Sequence, residues 1–170
     1  RDSMITKAEV RALVVARMRP RLGRLIWDIG AGSGSVGIEC AALGAAVISI
    51  EADPQACELV RTNAVRHGVD VRIVADKAPQ ALDGLPNPDA VFLGGGGLDV
   101  LTAVVRRSPQ RIVMTLVCID RIGPATEALR RGGYTVDGVQ LSASRLADLQ
   151  SGALRLVGTN PVVVLTGERE

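Results

Sequence analysis

The sequence predicts an α/β domain: a mostly parallel, seven-stranded sheet with helices on both faces. Three observations lead there. Apolar runs rich in Val and Ile alternate with helical patterns almost from end to end, the pattern of strands and helices that build a parallel sheet. The first run passes directly into an aspartate and three alternating glycines, "WDIGAGSGSVGIE" over residues 27–39. An acid, Glu51, then closes the second run about 20 residues further on, the spacing at which ribose hydroxyls are met in nucleotide-binding folds.

The elements follow in order. A helix over 7–18 comes first, with Thr6 and Glu9 spaced as a capping box. Strands are expected over 25–29, 46–50, 71–75, 90–93, 111–117, 135–141 and 161–166, most of them continuous apolar runs suited to burial on both faces. Helices are expected between them over 35–43, 54–66, 79–85, 98–107 and 123–131. The segment 142–160, between the last two strands, is long for a connection, and long connections are often functional or interfacial. A length of 170 residues suits one compact domain, and no linker, repeat or low-complexity tract divides residues 1–170.

Composition narrows the classes. Apolar residues are 47% and charged residues 22%, with a net charge of +2 spread along the chain. Lys7 and Lys77 are the only lysines, and every other basic residue is arginine. Arginine suits bidentate recognition of carboxylates or phosphates, although a genomic bias gives the same count. Trp27, Phe92 and Tyr134 are the only aromatic residues, too few to stack the bases of a nucleic acid. Cys40, Cys57 and Cys118 have no CxxC spacing and sit in apolar stretches, so core packing is expected of all three and no metal site. No apolar run approaches the ~18 residues of a membrane span, and no signal-peptide pattern opens the chain. The expectation is a cytoplasmic protein with no membrane and no nucleic-acid partner. The opening Arg1-Asp2-Ser3-Met4 fits either a trimmed chain or a piece of a longer polypeptide.

The glycine turn carries the chemistry. Gly30, Gly32 and Gly34 allow a tight turn with a ligand against the backbone, and the helix that follows aims its free amides and dipole at that ligand. Two ligands compete. Dinucleotide sites read GxGxxG or GxGxxA, and Ser35 stands at the last position here. Asp28 suits a cation better than a pyrophosphate, such as the ammonium of a methionine group. The acid–glycine pattern resembles the first motif of the class I S-adenosylmethionine-dependent methyltransferases.

Further segments narrow the resemblance. "ITKAEVRA" (5–12), "WDIGAGSGSVGIE" (27–39), "DKAPQAL" (76–82), "PDAVFLGGGG" (88–97) and "TNPVVVLTG" (159–167) together resemble the decarboxylating precorrin C15-methyltransferases of cobalamin biosynthesis. The resemblance implies a class I, Rossmann-like fold using S-adenosyl-L-methionine. It implies methylation of carbon 15 of a tetrapyrrole with loss of the ring-C acetate carboxylate as carbon dioxide, without a metal. It also implies a homo-oligomer, a tetramer in the family. In some organisms the unit is the C-terminal half of a precorrin-6Y C(5,15)-methyltransferase, so a fused or partner methyltransferase acting at carbon 5 belongs to the expectation.

Carried over residue by residue, Gly30, Ala31, Gly32, Ser33 and Gly34 hold the methionine part beside Asp28, and Glu51 holds the ribose. Ala78 lies against the adenine and Thr6 near the cofactor's entrance, while Asp76 and Lys77 stay unassigned. Gly94 and Gly95 form a flat floor for the acceptor, in place of the Asn/Asp-Pro-Pro-aromatic turn of enzymes that methylate exocyclic nitrogens. Arg145 and Arg155, in the long connection, are candidates for the acceptor's carboxylates, with Arg11 beside the entrance. His67, before Gly68, reads as a helix terminus rather than a base. Two other readings stay open: a methyltransferase for RNA or another small molecule, and a nucleotide-binding module without chemistry.

Overall fold

The computed structural model describes residues 7–150 and 152–169. Its main sheet has seven strands: β1 (Leu25–Ile29), β2 (Ala46–Ile50), β3 (Arg72–Val74), β4 (Ala90–Leu93), β5 (Arg111–Leu116), β6 (Thr135–Leu141) and β9 (Val162–Glu168). They lie in the order β3-β2-β1-β4-β5-β9-β6. The first five are parallel, and β9 runs antiparallel between β5 and β6.

Side chains alternate across a strand, and β1 shows what that does here. Ile26 packs into one core with Val14 and Met18 of α1 (Ala8–Met18) and Val36 and Cys40 of α2 (Ser35–Ala42). Trp27 and Ile29 pack into the other, with Leu101 and Val104 of α4 (Leu98–Arg106) and Leu129 of α5 (Ile122–Arg131). α3 (Pro54–His67) buries Ala56, Cys57, Val60 and Ala64 beside α2. Asp53 caps it by accepting the Gln55 amide at 2.9 Å, and Gly68 ends it at φ 64°. His67 is therefore the last helical residue, as its sequence context implies.

Four expectations change. The helix expected over 79–85 is a single 3-10 turn at Gln80–Leu82. It buries Ala81 and Leu82, and at Asp83 the backbone is extended, which ends the turn. α1 starts at Ala8, and its capping position, Lys7, donates no side-chain cap; Thr6 lies outside the described residues. The long connection is no open loop: it folds into a second, two-stranded sheet of β7 (Ser144–Asp148) and β8 (Leu154–Gly158). Cys118 is exposed, because its strand ends at Leu116 and the chain leaves the core there, while Cys40 and Cys57 are buried as expected.

Candidate functional site

β1 is flanked by β2 on one side and β4 on the other, and the helices after β1 and β4 cover opposite faces. The two chain segments therefore diverge at the carboxyl ends of these strands. A crevice at such a switch point is where open α/β sheets hold ligands, and both glycine runs lie there.

The turn after β1 is held by its neighbours. The Gly30 amide donates to the Ile50 carbonyl at 2.9 Å, and the Gly34 amide to the Ala31 carbonyl at 2.8 Å. Gly30, Gly32 and Gly34 have φ of 69°, 57° and 75°, the left-handed region that side chains resist. A Cβ on Gly30 would stand 2.9 Å from the Gly95 amide nitrogen, and one on Gly34 would stand 2.9 Å from Val60. The first contact joins the turn after β1 to the run after β4. The second lets α3 press against the turn. Gly94 to Gly97 are all exposed, and Gly95 has open space where a Cβ would be.

Glu51, half-buried at the end of β2, supports the same turn. Its Oε2 accepts the Gly32 amide at 2.9 Å and its Oε1 the Asp53 amide at 3.0 Å. Each oxygen keeps acceptor capacity for a further donor. A brace from Glu51 to Gly32 is invisible to sequence reading, which assigns Glu51 to a ligand alone.

Asp28 sits at the base of the turn, inside the protein. It lies on the Ile26 face of β1, is 1% exposed, and turns its carboxylate toward α2, where Oδ2 accepts the Gly37 amide at 2.9 Å. Its Oδ1 is buried without a partner, and so is the hydroxyl of Ser49, its register partner on β2. Burial pushes its pKa up to about 7, the Glu51 charge adds to the rise, and the Gly37 hydrogen bond opposes it. Burial likewise pushes the Cys40 thiol up to about 12, with the Asp28 and Glu39 charges helping, so that sulfur is inert.

Ser33 is buried with an unpartnered hydroxyl, and its carbonyl accepts from Asn63 Nδ2 of α3 at 2.9 Å. Ser49 and Asn63 escaped the sequence reading because nothing local marks them: their neighbours at the turn, Asp28 and Ser33, lie at least twenty residues away along the chain. Ala78 follows β3 and packs half-buried against the core on the α4 and α5 face. Asp76 and Lys77 are exposed beside it.

The hairpin brings Arg145 and Arg155 together. Arg145 opposes Val157 and Arg155 opposes Ala147, so both arginines share one hairpin face. Arg145 donates to both oxygens of Glu9 on α1 at 3.0 Å. Leu146, Leu154 and Leu156 project from the other face, each at least 60% exposed. Arg11 pairs with Glu39 of α2 at 2.7 Å. A small cavity lined by Met18, Arg24, Asp89 and Arg111 lies at the opposite, amino edge of the sheet and involves none of these residues. Among the described residues no group of His, Cys, Asp and Glu could hold a metal ion, and no helix is long and apolar enough to cross a membrane.

Comparison with known proteins gives a consistent answer. A family model described as a precorrin methyltransferase domain matches residues 1–154. A precorrin-6Y C(5,15)-methyltransferase [decarboxylating] of a Sinorhizobium species is 44% identical over 126 residues, covering 70% of this chain and 30% of that protein. The chain thus spans under a third of that relative. A probable cobalt-precorrin-6B C(15)-methyltransferase (decarboxylating) of Pyrobaculum calidifontis is 34% identical over 172 residues, 95% of this chain and 87% of the other. The crystal structure of a precorrin-6y C5,15-methyltransferase from Geobacter metallireducens superposes with a TM-score of 0.89 at 34% identity, covering 98% of this chain and 92% of that one.

Proposed function

The chain belongs to the precorrin methyltransferase domain family, with the class I S-adenosylmethionine-dependent methyltransferase fold, and from that premise we propose what it does. It methylates carbon 15 of a precorrin macrocycle and releases the ring-C acetate carboxylate as carbon dioxide, in cobalamin biosynthesis. The observation that carries the reading is the contact between the two glycine runs at Gly30 and Gly95. A cradle for a cofactor and a bare floor for a large, flat acceptor lie side by side.

The residues fit S-adenosylmethionine. Gly30, Gly32 and Gly34, with Ala31 and Ser33 between them, would hold its methionine part against backbone that tolerates no side chain at Gly30. Glu51 would take the ribose hydroxyls on the acceptor capacity its two backbone donors leave over. Ala78 would lie against the adenine and Thr6 near the entrance. Asp28 would act from beneath α2: it holds the helix start through Gly37 and lends its charge to the methionine ammonium when deprotonated.

Bound there, S-adenosylmethionine supplies an electrophilic methyl group. The macrocycle is electron-rich enough to attack it, so the chain needs no nucleophile of its own, and its contribution is positioning and electrostatics. In the decarboxylation the bond between the acetate methylene and its carboxylate breaks. Carbon dioxide would leave, and the electron pair would pass through the ring conjugation to carbon 15, which would take the methyl carbon as its bond to the sulfonium sulfur breaks and S-adenosylhomocysteine is left. Gly94 and Gly95 let the ring approach the cofactor, and Arg145 and Arg155 face the acceptor's carboxylates from the hairpin.

Two partners complete the reading. A homo-oligomer, a tetramer by family resemblance, would cover the leucine face of the hairpin, since Leu146, Leu154 and Leu156 have no cover among the described residues. Methylation at carbon 5 falls to a fused or separate methyltransferase, in keeping with a Sinorhizobium relative named for both carbons and far longer than this chain.

Mass spectrometry of an incubation with S-adenosylmethionine and a precorrin or cobalt-precorrin acceptor tests the assignment. The expected product has gained one methyl group and lost one carbon dioxide. Acceptor returned unchanged by protein that binds S-adenosylhomocysteine would reject the substrate, and binding of NAD instead would reject the cofactor.

A further inference from the structure

We propose that Leu98, Val117 and Ile119 form an apolar shelf on which one face of the acceptor's conjugated ring lies; the inference rests on the function proposed above. Large apolar side chains left in water call for an explanation when they cluster. Val117 is 73% and Ile119 82% exposed, on the segment that follows β5, and Leu98 is 44% exposed at the start of α4. The whole of 117–121 is exposed, as is 94–99 after β4.

The register places these segments side by side. β4 and β5 are parallel neighbours with Leu93 opposite Met114, so Gly96 and Val117 each stand three residues beyond a matched pair. Adjacent strands are about 4.8 Å apart, so both segments leave the sheet at its carboxyl edge from neighbouring strands, and we take their exposed residues as one surface. That surface begins where the cofactor turn ends, at the contact of Gly30 with Gly95. Its glycines carry no side chain to hold a ring away, and its rim offers Arg121, exposed and without an ion pair among the described residues. A flat, hydrophobic ring edged with carboxylates matches this arrangement: apolar contact beneath, bare backbone toward the methyl donor, a cation at the edge. The leucines of the hairpin do not compete for this role, because they lie on the far side of β7 and β8 from the Glu9–Arg145 pair that ties the hairpin to the body.

Cys118 supplies the test, since it stands between Val117 and Ile119 and is exposed, whereas Cys40 and Cys57 are buried. Alkylation of Cys118 by a maleimide is followed by mass spectrometry in the intact protein, alone, with S-adenosylhomocysteine, and with uroporphyrin as a tetrapyrrole polycarboxylate probe. Saturating uroporphyrin is expected to slow the alkylation by about tenfold or more, the sign of a covered thiol, and S-adenosylhomocysteine alone to leave it nearly unchanged. In parallel, the surface double variant Val117→Ser, Ile119→Ser is expected to weaken uroporphyrin binding by roughly tenfold, as loss of two buried apolar contacts predicts, with affinity for S-adenosylhomocysteine preserved. Bound uroporphyrin that leaves Cys118 fully reactive overturns the shelf and spares the proposed function. Protein that binds S-adenosylhomocysteine but neither uroporphyrin nor a precorrin overturns both. A thiol that is slow to react without any ligand and speeds up on dilution marks the surface as a contact between copies of the chain, and this too overturns the shelf.

Discussion

Asp28 of β1 and Gly37 of α2 are joined by a 2.9 Å hydrogen bond from the Gly37 amide, and a Cβ on Gly37 would stand 2.8 Å from that carboxylate oxygen. The strand and the helix that follow one another through the glycine turn are thus pinned to each other beneath it. The pin carries a proton-dependent cost. Burial holds the Asp28 proton up to about pH 7, whereas an ordinary aspartate loses it near 3.8. The folded-state value is the raised one, so the protonated carboxyl's contribution is whole below the unfolded value and is lost as pH rises through 7. In that window each pH unit removes roughly 1.4 kcal/mol from this group's share. Asp28→Asn keeps an acceptor for Gly37 and abolishes the titration. Its stability relative to wild type is expected to climb from pH 4 to pH 7 and then level, read by chemical denaturation across that range. A wild type that gains on the variant with rising pH would show that the buried charge is stabilised instead.

Glu51→Ala removes the brace on Gly32 together with the proposed ribose acceptor. The affinity for S-adenosylhomocysteine is expected to fall by an amount on the order of 1–3 kcal/mol, as for lost hydrogen bonds to a charged group, with the fold retained. Calorimetry gives the affinity and circular dichroism the fold. Affinity equal to wild type would place the cofactor elsewhere.

Gly30→Ala and Gly32→Val separate two demands on the turn. At Gly30 the added Cβ meets the Gly95 backbone at 2.9 Å with φ at 69°, so the two glycine runs must part. At Gly32 a β-branched residue at φ 57° is strained and would enter the space proposed for the ligand. Both variants are expected to lose S-adenosylhomocysteine binding, and Gly30→Ala to lower the melting temperature as well, because it breaks a backbone contact of the protein itself. Methylation by Gly32→Val at the wild-type rate would reduce the turn to a connection.

Arg145→Ala and Arg155→Ala are expected to raise the KM for acceptor without changing the affinity for S-adenosylhomocysteine. The exposed Arg145–Glu9 pair contributes little to stability, so the melting temperature should hold. A control, Glu9→Gln, distinguishes roles: if it reproduces the effect of Arg145→Ala, Arg145 acts by seating the hairpin on α1 rather than by meeting a carboxylate. Wild-type kinetics in both arginine variants would transfer the carboxylates to other arginines.

The order of the two reactions is open to a direct measurement. In the proposed reaction the electron pair of decarboxylation passes into the ring conjugation of the acceptor. Enzyme, acceptor and S-adenosylhomocysteine together are expected to yield some decarboxylated, unmethylated product. Accumulation of methylated, still-carboxylated material in a short reaction with the true donor would reverse the order.

How much of this was legible in the chain follows from how far each contact reaches. The central strands β1, β2 and β4 could be read to the residue, because a strand buried in a parallel sheet leaves an apolar run with sharp ends, and the antiparallel edge strand β6 was bounded as closely. The glycine turn and Glu51 were legible too, since a positive φ demands glycine and the acid recurs at a spacing set by one strand–helix–strand unit. Even the two candidate arginines were picked out by the length of their segment, although the sequence could not show that the segment is a hairpin.

The sequence by itself therefore determined the α/β class, the place of the glycine turn and the family. Only the tertiary structure decided what the named residues touch. Asp28 reads as a partner for a cation, and alternation along β1 turns its carboxylate under α2, onto the Gly37 amide. Glu51 reads as a ligand residue, yet it also braces Gly32, and Asn63 holds Ser33 from a different helix. Cys118 sits in an apolar stretch but lies outside the core, two residues past the last strand pair. The physical reason is the same in each case. Strand and turn preferences are set by neighbours along the chain, whereas the facing of a side chain and its hydrogen-bond partner are set by residues that folding brings from tens of positions away.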